Sequence, residues 1–465
     1  MDSAANGSGW TNRIGALFDG RSRIATGAFN RREPWGRVVI AALIIAILLG
    51  PLLTFADAAH ANEGNIERQL AFFALLGLTV YVSIPVATRW SMVALSWPVM
   101  LALAWAWLSL TWAIDPAMAF RRLFLTTIVV WMVFALVRHV GYRSTVDMLR
   151  WTLFGAVVTS YFVVLLSPVT GIHLMLESEG PTALIGNWRG WLGHKNFAGA
   201  VAAVCILLFL FDAKRFRPAV RIGVIIVAGF FLFKSQSKTS AGMLGLASLA
   251  GIIFTTLSYK ARAYLLPILT LLGCALWFLT SFYSNLLQAS FADPASFTGR
   301  GNIWAALLRY ASDNLMFGAG FGSFWNIGGL SPIYKYGSGY VTQITIGHSG
   351  FLDQLVTVGL PGLLLMVLAL MVWPLWKLLS NPSIPPERGA LISSLTLFCI
   401  GHNITESSLF ERDAIVATLL YFAAALAQYC TVPDGYLQSG TDGNESFFKA
   451  MRDRRNALAA AARTT

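Results

Sequence analysis

Charged side chains are scarce in this sequence. Only 12% of its 465 residues are Asp, Glu, Lys or Arg, while 56% are hydrophobic, a balance that excludes a soluble domain built on one buried core. Cysteine is scarce as well. Of the four, Cys205, Cys274 and Cys399 fall inside apolar runs and Cys430 ends one, a spacing that excludes a disulfide framework and a zinc site. The apolar runs lack polar/apolar alternation, so they read as helices and not as barrel strands. Acidic residues are the rarer charge, 22 against 34 basic. The expected outer segments hold no closely spaced Asp-x-Asp pair, and the nearest match, Glu177-Ser-Glu179, reads as a solvated loop. No metal and no cofactor is expected. No internal repeat of transporter type is visible.

What the chain does have is length in apolar runs, each close to the ~20 residues that cross a bilayer core as helix. Twelve spans are expected: 38–56, 70–87, 92–113, 123–138, 149–167, 196–212, 219–234, 241–258, 264–283, 350–376, 389–401 and 413–430. The class is an all-α polytopic membrane protein. Residues 1–37 carry Arg13, Arg21, Arg23, Arg31, Arg32 and Arg37, which assigns this tail to the cytoplasm and makes the first run a retained signal-anchor. Counting from there, the inside loops come out basic: Arg89; Arg138, Arg143 and Arg150; Lys214, Arg215 and Arg217; Lys260 and Arg262; Lys377 and Arg388. The net charge of +12 is thereby assigned to membrane orientation, and no nucleic-acid partner is expected. Residues 38–430 form the membrane domain, and 431–465 are a second cytoplasmic tail.

Two outer loops are long, 168–195 and 284–348, and loops of that length are functional or disordered. Within the second, Ile303, Trp304, Leu307, Leu308 and Ala311 share a helical face opposite Asn302, Arg309 and Ser312, the pattern of a helix on the outer membrane surface. Cations ordinarily stay cytoplasmic, yet Arg189, His194, Lys195, Lys238, Arg300 and His348 all fall at outer span ends. An anion outside accounts for them, and a lipid pyrophosphate is the leading candidate. Arg189, His194, Lys195 and Asn196 lie in one glycine-containing segment suited to phosphate oxygens, or to an interfacial anchor. Lys238 tips a hydroxyl-rich turn, Ser235-Gln-Ser-Lys-Thr-Ser240, as ligand or as solvated cation. Arg300 begins the surface helix, whose free N–H groups also favour an anion; the alternative is a loop arginine bonding carbonyls. His348 is the candidate general base, or a structural histidine at a helix start. Asp353, five residues on, lies on a different helix face, so spacing does not support its orienting His348. His402 and Glu406 form a further outer polar turn, as supporting or packing groups. Arg121 and Arg122 are second-rank anion ligands.

Gly193-His-Lys-Asn196, Ser235-Gln-Ser-Lys-Thr239, Thr298-Gly-Arg300 and His348-Ser-Gly-Phe-Leu-Asp353, in this order and on this topology, resemble the O-antigen ligase and polymerase superfamily, whose core is called Wzy_C. They look most like the exopolysaccharide polymerases of the ExoQ type. The resemblance spans roughly 70–430. It implies a GT-C-type fold in the bacterial inner membrane with the site facing the periplasm, and an inverting, metal-independent glycosyltransferase. Arg189 and Arg300 would then hold the pyrophosphate of an undecaprenyl-diphosphate-linked glycan, His348 would activate an acceptor hydroxyl, and His194 and Lys195 would support them. The acceptor would be a glycan or lipid-linked molecule, and chain-length regulators and export proteins are further expected partners. Where many relatives have His-Asn, this chain has His348-Ser349, which points to a different acceptor. A ligase delivering finished glycan to lipid A core is the near alternative. A lipid-linked oligosaccharide flippase or transporter is the far one, disfavoured because transporters keep ionisable groups near the midplane.

Overall fold

The computed structural model describes residues 33–55, 66–83, 94–174, 184–258, 260–262, 264–265, 300–412 and 414–431. The regular secondary structure among these residues is helical apart from one isolated bridge between Ile172 and Trp188. In chain order the helices are α1 Glu33–Phe55, α2 Ile66–Ser83, α3 Trp97–Leu108, α4 Pro116–Val140, α5 Tyr142–Leu166, α6 Lys195–Leu210, α7 Pro218–Ser235, α8 Lys238–Thr256, α9 Gly301–Asp313, α10 Gly350–Ser380, α11 Pro386–Thr405 and α12 Ile415–Tyr429. Eleven of the twelve expected spans coincide with one of them. The segment 264–283 lies outside the described residues except at its first two positions.

Local sequence sets the ends. Asp115 caps α4 by accepting from Met118 N at 2.9 Å, with Pro116 in the first turn, where a missing N–H costs nothing. The helix stops at Gly141, with Arg138 and His139 in its last turn, facing the negative end of the dipole. α7 and α11 likewise open on Pro218 and Pro386.

Five helices, α4, α5, α7, α8 and α10, are long and apolar enough to cross a membrane by length and composition, and α1, α2, α3, α6 and α12 are shorter apolar helices. The described residues form an all-helical bundle, and the chain is a polytopic membrane protein. α6 and α12 form the middle of the bundle: Ala198 to Phe209 and Ile415 to Ala427 are buried without interruption. Both are rich in alanine, which lets neighbouring backbones approach where lipid offers no hydrophobic drive. α11 is too polar for the same apolar test, because it carries Ser393, Ser394, Thr396, His402 and Asn403. All five are buried against protein, the environment that polar groups at membrane depth require. α8 packs along it through close contacts at glycine. A Cβ on Gly389 would meet Phe254 Cε1 at 2.1 Å, and one on Gly401 would meet Met243 Sδ at 2.1 Å.

The second long loop is stitched down along its described length, 300–348. Ala319 N donates to Val356 O and Leu360 N to Leu315 O, both at 2.8 Å, across a break in α10 at Gly359. Phe321 N donates to Ser109 Oγ at 2.9 Å and Asp115 N to Ser323 Oγ at 2.6 Å, which fastens the same loop to the α3–α4 turn. α9 departs from the expected surface helix. Its apolar face, Ile303, Leu307, Tyr310 and Ala311, packs into a small core with Phe324, Ile333, Val341 and Val356, so protein and not lipid covers it. Only Leu308, 46% exposed, points away. The amphipathic pattern was real; it cannot say which apolar surface a helix finds.

Gly359 has φ 69° and ψ −178°, a region essentially closed to other residues. A Cβ there would also meet Met316 O at 2.3 Å. Gly359→Ala is expected to lower stability by about 1–3 kcal/mol, read as a fall in the melting temperature of the detergent-purified protein. An unchanged melt would mean the break in α10 is not needed.

Candidate active site at the Arg300 end of the bundle

Glu406 sits just past the end of α11, and three other helix ends meet it. Its Oε1 accepts from Arg300 Nη2 at 2.8 Å and from Asn196 Nδ2 at 2.6 Å, while its backbone oxygen accepts from Gly350 N at 3.0 Å. Arg300 also donates to the carbonyl of Thr405. Through its carboxylate and its backbone oxygen this one residue joins the starts of α6, α9 and α10 to the end of α11. Burial raises the Glu406 pKa, opposed by the Arg300 charge. The remaining oxygen of Asn196 accepts from Ser237 Oγ at 3.4 Å, and Ser237 in turn bonds Ser240 at 2.9 Å. Gly199 allows this approach, since a Cβ there would lie 2.5 Å from Ser237 Cβ.

Arg300 stands at the N-cap position of α9, where the free N–H groups of that helix begin. Two of its five N–H groups are used among the described residues, on Glu406 and Thr405. An arginine so held is oriented and still has donors for an incoming oxyanion.

His348 stands immediately before α10 with φ 51°, an uncommon left-handed conformation for a residue with a side chain. The preceding residue explains how it is kept there. Gly347 N donates to Asp353 Oδ1 at 3.1 Å, Gly347 O accepts from Trp304 Nε1 at 3.0 Å, and Asp353 Oδ1 also takes Trp325 Nε1 at 2.8 Å. Asp353 therefore acts on the backbone beside His348, not on its ring, in keeping with the five-residue spacing. His348 Nδ1 has no hydrogen-bond partner among the described residues. Burial, then the charge of Arg300, lower its pKa to about 4.

The other histidines are placed differently. His194 caps α6, its Nδ1 accepting from Asn196 N at 3.2 Å, so its lone pair is already used. Burial lowers its pKa to about 4, followed by the charges of His173, Lys195, His348 and Arg300. That list of neighbours is itself informative, because it draws the first outer loop, α6, α9 and the α10 mouth into one electrostatic neighbourhood. His173 was missed in the sequence. Its ring is edge-on to His194 with centroids 5.5 Å apart, and a histidine in a long outer loop was the available signal. His402 is buried within α11 beside Phe398. Lys195 lies within electrostatic reach of Lys238 and Glu406, and Lys238 is exposed at the start of α8.

Three expected ligands are engaged elsewhere. Arg189 donates through Nε to Thr170 O at 2.7 Å and through Nη2 to Val169 O at 3.3 Å; no described contact joins it to Arg300. Its guanidinium is held at the carbonyls of the turn Pro168–Gly171. Arg122 straps the second outer loop, donating to Gly322 O at 2.5 Å, Trp325 O at 2.7 Å and Asn326 O at 3.2 Å. Arg121 is exposed and reaches back to Met118 Sδ at 3.0 Å. Among the described residues no group of three or more His, Cys, Asp or Glu side chains is placed to hold a metal ion.

Residues 223–367 match the Wzy_C family model, described as O-Antigen ligase. That stretch contains Lys238, Arg300, His348 and Asp353, while Asn196 and Glu406 flank it. The chain is also 24% identical over 292 residues to the exopolysaccharide production protein ExoQ of Rhizobium meliloti (strain 1021), an alignment covering 58% of this chain. It spans 64% of that relative's length.

Because Arg300 lowers the His348 pKa, Arg300→Gln should raise it, from about 4 toward the ordinary 6.5. Histidine NMR titration of ligand-free protein, with His348→Gln to assign the signal, reads this. A downward or absent shift would mean the two groups are not coupled.

Proposed function

We propose that the chain is a membrane glycosyltransferase of polysaccharide biosynthesis, joining undecaprenyl-diphosphate-linked repeat units to lengthen an exopolysaccharide or O-antigen. The observation that carries this reading is the coupling of Arg300, held by Glu406 at a helix start, to an imidazole whose Nδ1 is unpartnered. Both lie inside the Wzy_C match. Orientation by the basic inside loops puts this end at the periplasmic face of the inner membrane, in a GT-C-type fold of about twelve spans.

In this mechanism the acceptor hydroxyl gives its proton to His348 as its oxygen bonds the anomeric carbon. The bond from that carbon to the diphosphate oxygen breaks from the opposite side, so configuration inverts. The leaving group carries its electrons onto phosphate, and Arg300, the α9 start and the nearby lysines neutralise it. Positioned cations supply what a metal would supply elsewhere. Glu406 holds Arg300 ready and competes with the incoming diphosphate for it.

A pKa of about 4 makes His348 a weak base in the empty site, but the donor changes its surroundings. One phosphate charge at ~6 Å, with an effective dielectric constant of ~20, favours imidazolium by roughly 3 kcal/mol, or about 2 pKa units. Donor binding thus moves His348 toward the range suited to general-base work. The acid limb of kcat/KM, which reports free enzyme, should fall near pH 4, and the limb of kcat should lie higher. The reverse order would remove His348 from this role.

The family description favours a second reading, a ligase that moves finished glycan to lipid A core. Purified protein supplied with lipid-linked repeat unit alone distinguishes them. Chain growth is expected; strict dependence on lipid A core would establish the ligase instead. In the same assay His348→Ala should lose at least about a hundredfold in rate while still binding donor. Arg300→Ala should weaken donor binding, with partial recovery in Arg300→Lys. Full turnover by His348→Ala would defeat the base assignment.

A further inference from the structure

α6 and α11 both run from the Glu406 assembly to a second polar assembly that glycan transfer does not use. The 18 residues from Arg388 to Glu406 correspond to about 27 Å of helix, so the two lie at opposite ends of the bundle. A cavity of about 230 Å³ opens at the second end. Five cationic side chains line it, Arg143, Arg150, Lys214, Arg215 and Arg388, against two carboxylates, Asp212 and Glu387.

Among the described residues, acidic side chains balance only part of this charge. Arg150, 1% exposed, is built in as a wall: it donates to Leu208 O at 2.7 Å, Phe211 O at 3.1 Å and Asp212 O at 2.8 Å. It shares Asp147 with Arg215. Lys214 meets Glu387 at 2.5 Å, and Asp212 takes the Tyr142 hydroxyl at 2.8 Å. Arg388 lies over the Tyr142 ring at 4.5 Å. Arg143 is exposed and pairs with no carboxylate among the described residues. Even with Asp147 counted, the described side chains around the cavity carry two more positive charges than negative ones. Guanidinium and ammonium groups around a concave space suit phosphate oxygens, and the volume equals roughly seven waters, room for a phosphate with part of its ester. The basic loops assign this end to the cytoplasmic side, where pockets between spans take anionic head groups.

We propose that this cavity is a phosphate-group binding site, with the head group of an anionic phospholipid of the cytoplasmic leaflet as its occupant. It stands independently of the transferase reading, because binding is measured without turnover.

The test is native mass spectrometry of the full chain in neutral detergent, comparing retention of phosphatidylglycerol with phosphatidylcholine of the same acyl chains. Wild type should prefer phosphatidylglycerol, and Arg143→Gln with Lys214→Gln should reduce its retention by about tenfold or more. Glu387→Gln removes a competing anion and should increase retention. That gain cannot come from misfolding, so it keeps the test decisive if the double variant is unstable. Addition of inorganic phosphate identifies the source. If phosphate displaces the lipid and raises the melting temperature of wild type but not of the double variant, the phosphate site stands with a soluble occupant. Equal retention of both lipids by wild type with no response to phosphate, or a loss in Glu387→Gln matching the double variant, would overturn the proposal.

Discussion

Oε1 of Glu406 accepts from Arg300 and Asn196 together, and its backbone oxygen receives Gly350 N. Through these contacts a single residue sets the relative positions of four helix ends. Such a buried pair is not chiefly a source of stability, since desolvation offsets much of the Coulomb attraction. It specifies geometry. Removing either partner leaves the other charge uncompensated, which makes the alternative arrangements of these four ends costly.

The same constraint explains an otherwise unfavourable helix. α11 carries a polar stripe, including Ser394, Thr396 and Asn403, that lipid would not tolerate. Surrounded by α6, α8 and α12, it can deliver its C-terminal turn to the site at no such cost. Asn403 Oδ1 then accepts from Ser408 N at 3.1 Å and Ser408 Oγ at 3.0 Å, which closes the chain just after Glu406. Gly350 must be glycine for α10 to pass, because a Cβ there would lie 2.3 Å from Asn403 Oδ1. The polar helix, the glycine and the shared carboxylate form one device.

Much of this was legible in the residues. Hydrophobic length located the helices, because the bilayer demands it of every span. Charge bias singled out Arg300, His194 and His348, because an outer cation needs a cause. What could not be read was pairing across the chain. Asn196 and Glu406 are 210 positions apart, and nothing local marks Glu406 as the partner of Arg300. For the same reason the carbonyls that Arg122 and Arg189 meet were not legible, since a cation pattern does not reveal which backbone groups a fold will bring to it. α9 shows the complementary limit, with amphipathicity legible and its partner surface not.

His402 and His348 both keep ring nitrogens without a partner among the described residues, and of the two His348 stands in the loop before a helix. His194 gives its Nδ1 to the α6 cap, and His402 is enclosed within α11. His348 Nδ1 remains unpartnered among the described residues, on a backbone conformation that costs energy and is held through Gly347 by Asp353 and Trp304. Strain sustained by such over-determined surroundings marks a position fixed for use. Trp304 belongs to α9, the helix that Arg300 begins, so the proposed anion ligand and the proposed base are tied to one helix. Their separation is then a property of a packed helix and not of loop flexibility, which is what a displacement between two positioned groups requires.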